Sequence, residues 1–358
     1  MATHLFVVDP LAGIDITKDS SFALMWAAQA RGHRVYTCDT DGLVAQSVPG
    51  SGQVVAVGQG VTARQGVPVS QGLPVGQALA QCRLTTLQQQ VGAHFRDGPV
   101  ETRPLGDFDI IWMRKDPPFD MQYIAATYVL DMAPAKTRVL SRPESLRSWN
   151  EKTSILRWPH LAPATLLTRD MAAIRRFQQQ VGGSVVVKPL GWSGGNGIVA
   201  LHPGDLNTRS LLEISTRNGR EFVLVQQYLP AVVQGDKRVI LVDGVARAGL
   251  LRIPPADDLR GNIHIGAAVE LSPLTPREQA VCDEIGPALR EAGHVFVGLD
   301  LIGERVTEIN VTSPTGIQEI RDLGGPDLAE ELLDSALGLA PGAHQTAERP
   351  AQRMVAGA

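Results

Sequence analysis

A lysine at the end of an apolar run, followed by a glycine-dense loop, is the first candidate for chemistry. In Val185-Val186-Val187-Lys188-Pro189-Leu190-Gly191-Trp192-Ser193-Gly194-Gly195-Asn196-Gly197-Ile198-Val199, four glycines fall within seven residues. Such a loop can fold its backbone N–H groups around phosphate oxygens, with Lys188 as a point charge at the strand end. It is not a Walker A loop, which needs Gly-Lys-Ser/Thr entering a helix, and the chain contains no Gly-Lys. Gly191-Trp192-Ser193-Gly194-Gly195 also satisfies G-x-S-x-G, but that nucleophile elbow needs a helix straight after the serine. Gly194, Gly195 and Gly197 break helices, which sets the hydrolase reading aside and leaves a purely structural glycine turn as the alternative.

A second constellation spans Val295 to Val311, two strand-like runs about a turn at Gly303. Residues two apart on a strand share a face, so Glu308 and Asn310 point the same way. Asp300 lies on the partner run. A three-residue turn, Gly303 to Arg305, sets Asp300 opposite Glu308, whereas a two-residue turn sends it to the other face. Three oxygens converging among Val, Ile and Leu suit Mg²⁺, which takes a few protein oxygens and completes its shell with water and phosphate; the alternative is an exposed, salt-bridged hairpin. Arg238, Arg252 and Arg260, each in an apolar or glycine-containing stretch, suit a bidentate grip on carboxylate or phosphate. Taken singly, an arginine more often serves a surface salt bridge. Met113-Arg114-Lys115-Asp116-Pro117-Pro118-Phe119-Asp120 ends a strand with two cations, an acid and a stiff Pro-Pro turn, at the edge where parallel sheets hold ligands.

The elements that position these residues read as two halves. Leu5–Val8, a helix over Ser20–Arg31 and Val35–Cys38 form a βαβ unit, and Asp107–Met113 supplies a further strand, so the first half is α/β with a parallel sheet. Between them, Val44–Val100 carries only four charged residues and a glutamine at every sixth position from Gln53 to Gln77; it reads as a low-complexity surface insertion or an elaborated hairpin rather than a β-helix. Beyond Arg138 the order is α+β. Ser141 to Glu144 has capping-box spacing before a short helix, Ala172–Gln180 reads as another helix, and Val185–Lys188, Val223–Gln227 and Arg238–Val242 read as strands. Val242-Asp243-Gly244-Val245 predicts a type I′ hairpin, and Leu328–Leu339 a closing helix.

With 358 residues, 44% hydrophobic, 20% charged and a net charge of −4, the composition is that of an ordinary globular protein of about two domains and argues against a polyanion binder. Three cysteines, Cys38, Cys82 and Cys282, show neither a disulfide framework nor a zinc spacing. No long apolar run or basic leader occurs, so a cytoplasmic, soluble protein is expected.

Taken in order, these segments resemble a bacterial glutathione synthetase of the ATP-grasp superfamily. The resemblance rests on Met113 to Asp120, Asn150-Glu151-Lys152, Lys188-Pro189, Tyr228-Leu229-Pro230-Ala231, Gly235-Asp236-Lys237-Arg238, Arg252-Ile253-Pro254, Arg260-Gly261-Asn262 and Thr307 to Thr315, and covers about 1–42 and 107–340. It implies an N-terminal parallel-sheet, Rossmann-like domain (1–135, with the insertion at about 44–104), a two-subdomain ATP-grasp fold (136–340) and a flexible tail (341–358). It further implies ligation of γ-glutamylcysteine to glycine through an acyl phosphate, with ATP going to ADP and phosphate. By position, Lys152, Lys188, Gly194 and Gly195 would hold ATP phosphates and Gln226, Gln227, Tyr228 and Leu229 would border adenine. Asp300, Glu308 and Asn310 would bind Mg²⁺ (or Mn²⁺), and Arg238, Arg252 and Arg260 would steady the acyl phosphate. Lys18, Ser20, Arg114, Asp116, Asn310, Ser313 and Thr315 would face the peptide, and the chain would form a homo-oligomer, a dimer or tetramer. It departs from the family pattern at Gly191-Trp192 and at Ile263-His264-Ile265, and in the insertion. An ATP-grasp ligase with another acyl or amine substrate, and a nucleotide-binding regulator without turnover, are the competing readings.

Overall fold

The computed structural model of the chain describes residues 1–47, 77–254 and 268–340. Gln53, Gln59, Gln65 and Gln71 of the repeat, Arg260, His264 and the tail lie outside them.

The first sheet begins as the sequence predicts, with β1 (Thr3–Val7), α1 (Ser20–Ala30) and β2 (Arg34–Cys38) in a βαβ unit. β1 and β2 are parallel, with Leu5 opposite Tyr36. Asp19 caps α1 by accepting from Phe22 N at 2.6 Å. After β3 (Leu43–Gln46), the end of the glutamine-rich stretch forms a long hairpin, β4 (Gln77–Leu87) and β5 (Phe95–Pro104), antiparallel to the rest. β6 (Ile110–Met113), α2 (Met121–Leu130) and β7 (Arg138–Leu140) complete the sheet, in the order β3-β4-β2-β1-β6-β7 with β5 on β4. The central parallel strands β1 and β6 are buried along nearly their whole length, Leu5 to Val7 and Ile110 to Met113 reading as continuous apolar runs because both faces are covered.

A short α3 (Pro143–Ser148) leads into the second half. The expected capping box at Ser141 and Glu144 is absent: the N-cap is Arg142, with no side-chain bond, and Pro143 at the first helical position starts the helix by its fixed φ. The second sheet comprises β8 (Thr165–Thr168), β9 (Val185–Pro189), β10 (Val199–Leu201) and β11 (Val223–Gln227), crossed by α4 (Met171–Gln180) and α5 (Thr208–Ser215). Its order is β10-β9-β11-β8, all antiparallel. Val185, Val187, Val223 and Val225 pack with Ile174 and Leu212 under the helices, which turns Val186, Lys188 and Gln226 to the opposite face.

The third sheet orders β14 (Ala268–Leu271), β13 (Val245–Ile253), β12 (Asp236–Val242), β15 (Phe296–Ile302) and β16 (Arg305–Asn310). The β12–β13 turn is the predicted type I′, with Asp243 and Gly244 at φ of 49° and 75°. Between β14 and β15, α6 (Pro276–Glu291) opens with a capping box the sequence reading passed over: Glu278 N donates to Thr275 Oγ1, and Thr275 N to Glu278 Oε2. α7 (Ile317–Asp322) and α8 (Leu328–Leu337) close the chain.

One face of the third sheet packs on α6 through Val281, Ile285 and Leu289. Its other face is divided. At one end Ile240, Val242, Leu250 and Phe296 join Phe6, Trp112, α7 and α8 in a core shared with the first sheet. At the other end the same strands present Asp236, Arg238, Arg252 and Asp300 to a cleft facing the second sheet.

Candidate active site

The cleft holds a cavity of about 510 Å³. Val186 and Lys188 of β9, Ala200 of β10, and Gln226 to Leu229 at the end of β11 form one wall. Asp236 and Arg238 of β12, Arg252 of β13, Asp300 and Ile302 of β15, and Thr307, Glu308 and Asn310 of β16 form the other, and Ser193, Gly194 and Gly195 of the glycine loop edge it. In that loop Gly194, Gly195 and Gly197 all have positive φ, between 68° and 76°, so Ser193 starts no helix and the hydrolase elbow is excluded.

How Asp300 comes to face Glu308 differs from both registers considered in the sequence. The turn has two residues, Gly303 and Glu304, with φ of 53° and 64°. Pairing runs Ile302 with Arg305 and Leu301 with Val306, then shifts so that Asp300 meets Glu308 and Gly298 meets Asn310. Thr307 is the extra residue of a β-bulge. The bulge keeps Val306 and Ile309 in the α6 core while Glu308 and Asn310 stay in the cleft. Thr307 also turns its carbonyl to Lys188 Nζ (3.4 Å) and Gln226 Nε2 (3.5 Å), and its hydroxyl donates to the Asp300 carbonyl.

Charges in the cleft are paired. Arg238 grips Asp300 with two bonds of 2.8 Å, and Arg252 Nη2 bridges Asp300 at 3.0 Å and Asp236. Burial alone would raise the Asp300 carboxyl, but the two guanidinium groups hold it well below the usual range. Asp236 goes the other way: burial, reinforced by the nearby Asp300 against the pull of Arg252, pushes it up to about 6. Its Oδ1 is buried without a partner. Lys152, on the turn before the second sheet, bridges Glu308 Oε1 at 3.1 Å and the Trp192 carbonyl at 2.5 Å. Burial opposes its charge, yet Glu308 and Glu151 hold the ammonium above the ordinary lysine range. Lys188 is lowered, chiefly by burial, and Glu308 is lowered because Lys152 and Lys188 outweigh burial.

Lys188, Gly194, Gly195, Gln226 to Leu229, Arg238, Arg252, Asp300, Glu308 and Asn310 therefore meet around one cavity. The first-domain residues do not join them. Ser20 is fully buried with its hydroxyl unpartnered and does not line the cavity. Arg114 is buried too, donating to Ser21 Oγ and the Pro314 carbonyl and lying 4.9 Å over the Phe296 ring; it clamps the 313–315 segment to the first sheet instead of opening to the cleft. Ser313 Oγ donates to the Arg114 carbonyl, and Thr315 Oγ1 accepts from Arg238 Nη1. Lys18 is partly buried and Asp116 exposed, and neither lines the cavity. Asp236 and Thr307 were missed; Asp236 carried a signal, lying two residues before Arg238 and so on the same strand face.

Among the described residues no group of three His, Cys, Asp or Glu side chains forms a metal cage. Two carboxylates and an amide, Asp300, Glu308 and Asn310, lie on adjacent, paired positions beside cations, and oxygens of these types suit an ion that shares its shell with water and phosphate.

The family model described as prokaryotic glutathione synthetase, N-terminal domain, matches residues 2–147, and that for the ATP-grasp domain matches 151–325. The chain belongs to the prokaryotic glutathione synthetase family. It is 42% identical over 330 residues to the glutathione synthetase of Thermosynechococcus vestitus, covering 92% of this chain and 97% of that one. To that of Bradyrhizobium diazoefficiens it is 39% identical, covering 92% and 95%. In fold it is similar to the D-cycloserine synthetase DcsG (TM-score 0.58, 14% identity, 93% and 98% covered). The ATP-grasp ligase PsnB with its minimal precursor aligns with a TM-score of 0.55 at 18% identity, over 94% and 98%. The second and third sheets are thus the two halves of an ATP-grasp fold preceded by the family's N-terminal domain. Use of ATP with a divalent metal follows from the family.

Proposed function

We propose that this cleft joins γ-glutamylcysteine to glycine with ATP, giving glutathione, ADP and phosphate through an acyl phosphate. The observation that carries the reading is the convergence of Lys188, Arg238, Arg252, Asp300, Glu308 and Asn310 on one cavity that also reaches the Gln226–Leu229 strand end. A carboxylate is a poor acyl donor, so ATP must first phosphorylate it, and the glycine amine then displaces phosphate. Four cations, Lys152, Lys188, Arg238 and Arg252, stand against the carboxylates of Glu151, Asp236, Asp300 and Glu308, so it is the placement of the cations rather than a net charge that suits the cleft to polyphosphate. Lys152 and Lys188 hold the phosphates, the glycine loop covers them, and Gln226 to Leu229 border the base. Arg238 and Arg252 face the acyl phosphate and the oxyanion that forms on amine attack. Asp300, Glu308 and Asn310 would hold Mg²⁺, or Mn²⁺ in its place, which when bound withdraws charge from the phosphates. Lys18, Asp116, Ser313 and Thr315 remain the candidates for peptide contacts. Arg260 belongs to the same proposal by sequence position.

The three cysteines are free and buried, which supports the reducing cytoplasm as the setting. No described helix is long and apolar enough to cross a membrane. A homo-oligomer, dimer or tetramer, is expected and is checked by light scattering. The decisive experiment measures ADP release with Mg²⁺, ATP and γ-glutamylcysteine, with and without glycine, and identifies the product by mass. Glutathione formed only with both substrates supports the proposal; no ADP release from folded, ATP-binding protein moves the reading to another acyl and amine pair.

A further inference from the structure

The segment that leaves β16 carries Asn310 and then the Ser313–Thr315 stretch, so its direction decides whether Asn310 reaches the cleft. Nothing in the strand ladder fixes that direction, because β16 is the edge strand of its sheet and ends at Asn310. Glu151 fixes it. Its backbone carbonyl accepts from Ile309 N at 2.9 Å. Its Oε1 accepts from Val311 N and Thr312 N, both at 3.0 Å, and from Thr312 Oγ1 at 2.7 Å. These four bonds bracket Asn310 from both sides. The Glu151 side chain is buried, as are Val311 and Thr312, so no water substitutes for an absent acceptor without rearrangement. Asn310 meanwhile donates Nδ2 to the Gly298 carbonyl and to Asp300 Oδ2, each at 3.1 Å, which leaves its Oδ1 lone pairs for the cavity.

We propose that Glu151 is a positioning residue, whose carboxylate aims Asn310 at the metal and phosphate end of the cleft without touching either. The inference rests on the metal-site reading above. Its chemistry is that of an outer group that orients a ligand, where loss typically weakens metal binding ten- to a hundredfold. The role needs an acceptor oxygen at the right reach rather than a negative charge. Lys152, the next residue, pairs with Glu308 through its own side chain, and the Glu151 carboxylate also supports its charge; that electrostatic effect is separable from positioning because Glu151→Gln loses that charge and keeps the acceptor.

The test uses the full chain with Mn²⁺ as a paramagnetic probe, titrated in the presence of a non-hydrolysable ATP analogue and followed by electron paramagnetic resonance. Glu151→Ala is expected to weaken Mn²⁺ binding at least tenfold relative to Glu151→Gln, while the two variants, which lose the same charge beside Lys152, bind the analogue in EDTA alike. Glu151→Gln, which keeps the acceptor, is expected to stay within threefold of the native Mn²⁺ affinity. Thr312→Val, which removes one of the three bonds, should shift Mn²⁺ affinity in the same direction by a smaller factor and serves if Glu151→Ala does not fold. Native Mn²⁺ affinity in folded Glu151→Ala, or in Thr312→Val where only that variant folds, overturns the proposal, as does Glu151→Gln impaired as badly as the alanine variant. Glu308→Ala is the reference: if Mn²⁺ still binds to it normally, the metal-site reading has failed rather than the positioning one.

Discussion

Replacing Glu308 by glutamine should tighten one kind of binding and abolish turnover. The carboxylate is ionised at neutral pH, since Lys152 and Lys188 hold it below its ordinary range despite burial. It lies 3.1 Å from Lys152 Nζ. A phosphate oxygen bonded to the same ammonium would sit roughly 5 Å from that carboxylate, two hydrogen-bond lengths across one nitrogen. At an effective dielectric of about 20, like charges at that distance repel by about 3 kcal/mol. Screening by nearby cations and water reduces this, so Glu308→Gln is expected to bind ATP in EDTA about ten- to a hundredfold more tightly, or about 1.4–2.8 kcal/mol. The same change removes a hard anionic donor where the transferring phosphoryl group must be neutralised, so peptide synthesis with saturating Mg²⁺ should fall by about a thousandfold or more. Calorimetric titration of ATP in EDTA, followed by ADP release with both substrates and Mg²⁺, reads both arms. Unchanged or weaker metal-free binding would refute the electrostatic argument, and native turnover would refute the assignment of Glu308.

Three further outcomes follow from other parts of the molecule. His294 is fully buried beside Trp149 with neither ring nitrogen partnered, and burial, aided by Arg142 and Arg157, pushes it down to about 4. A base depressed on folding adds stability above its unfolded pKa of about 6.5 that is lost as pH falls towards 4, amounting to about 2 kcal/mol at pH 5. Urea unfolding at pH 7.5 and 5 should show His294→Leu losing less stability on acidification than the native chain, and equal losses would sink this account. Trp192 is half exposed, and its carbonyl holds the lysine that phosphate must capture, so ATP should change tryptophan emission in the native chain but not in Trp192→Phe; a signal that survives in that variant rules the contact out as its source. A Cβ at Gly298 would lie 3.2 Å from Arg238 Nε and 3.4 Å from Pro314 Cβ, beside a guanidinium already fixed on Asp300. Gly298→Ala should therefore keep its melting temperature within a few degrees yet lose about tenfold or more in synthesis, and native kcat would show that Arg238 tolerates displacement.

Most of the fold could be read from local pattern because its strands obey simple rules. The β1–α1–β2 unit, the Asp243-Gly244 turn and α4 each declare themselves through period, cap or turn chemistry within a dozen residues. What failed was also local: Ser141 and Glu144 match a capping spacing, but Pro143 fixes the start of α3 so that Arg142 takes the N-cap, while the true box at Thr275 and Glu278, with Pro276 at the first helical position, was legible by the same rules and was passed over. β4 and β5 were legible only as the elaborated-hairpin alternative, without bounds: the residues β4 buries at alternate positions, Ala78, Ala80 and Cys82, are small and give a weak period of two, and β5 is mostly polar.

For the site, residue type and two-residue spacing identified which side chains belong to the cleft, but not which of them reach it. Arg114 and Asp116 share one motif, and only three-dimensional packing reveals that the Arg114 guanidinium is consumed by Ser21 and Pro314. Burial on both sides of a strand end is a property of the docked halves, not of the motif. The bulge at Thr307 is the sharper case. Counting residues across the Gly303 turn gives two registers, and neither is adopted, because a strand in which Val306 and Ile309 both face the core while Glu308 and Asn310 both face the cleft cannot alternate strictly. Ile309 lies three positions after Val306, an odd offset, so one position must be taken out of the alternation. The sequence therefore demands a bulge once the faces of those four residues are specified, and Thr307, whose carbonyl then serves Lys188 and Gln226, is where it falls.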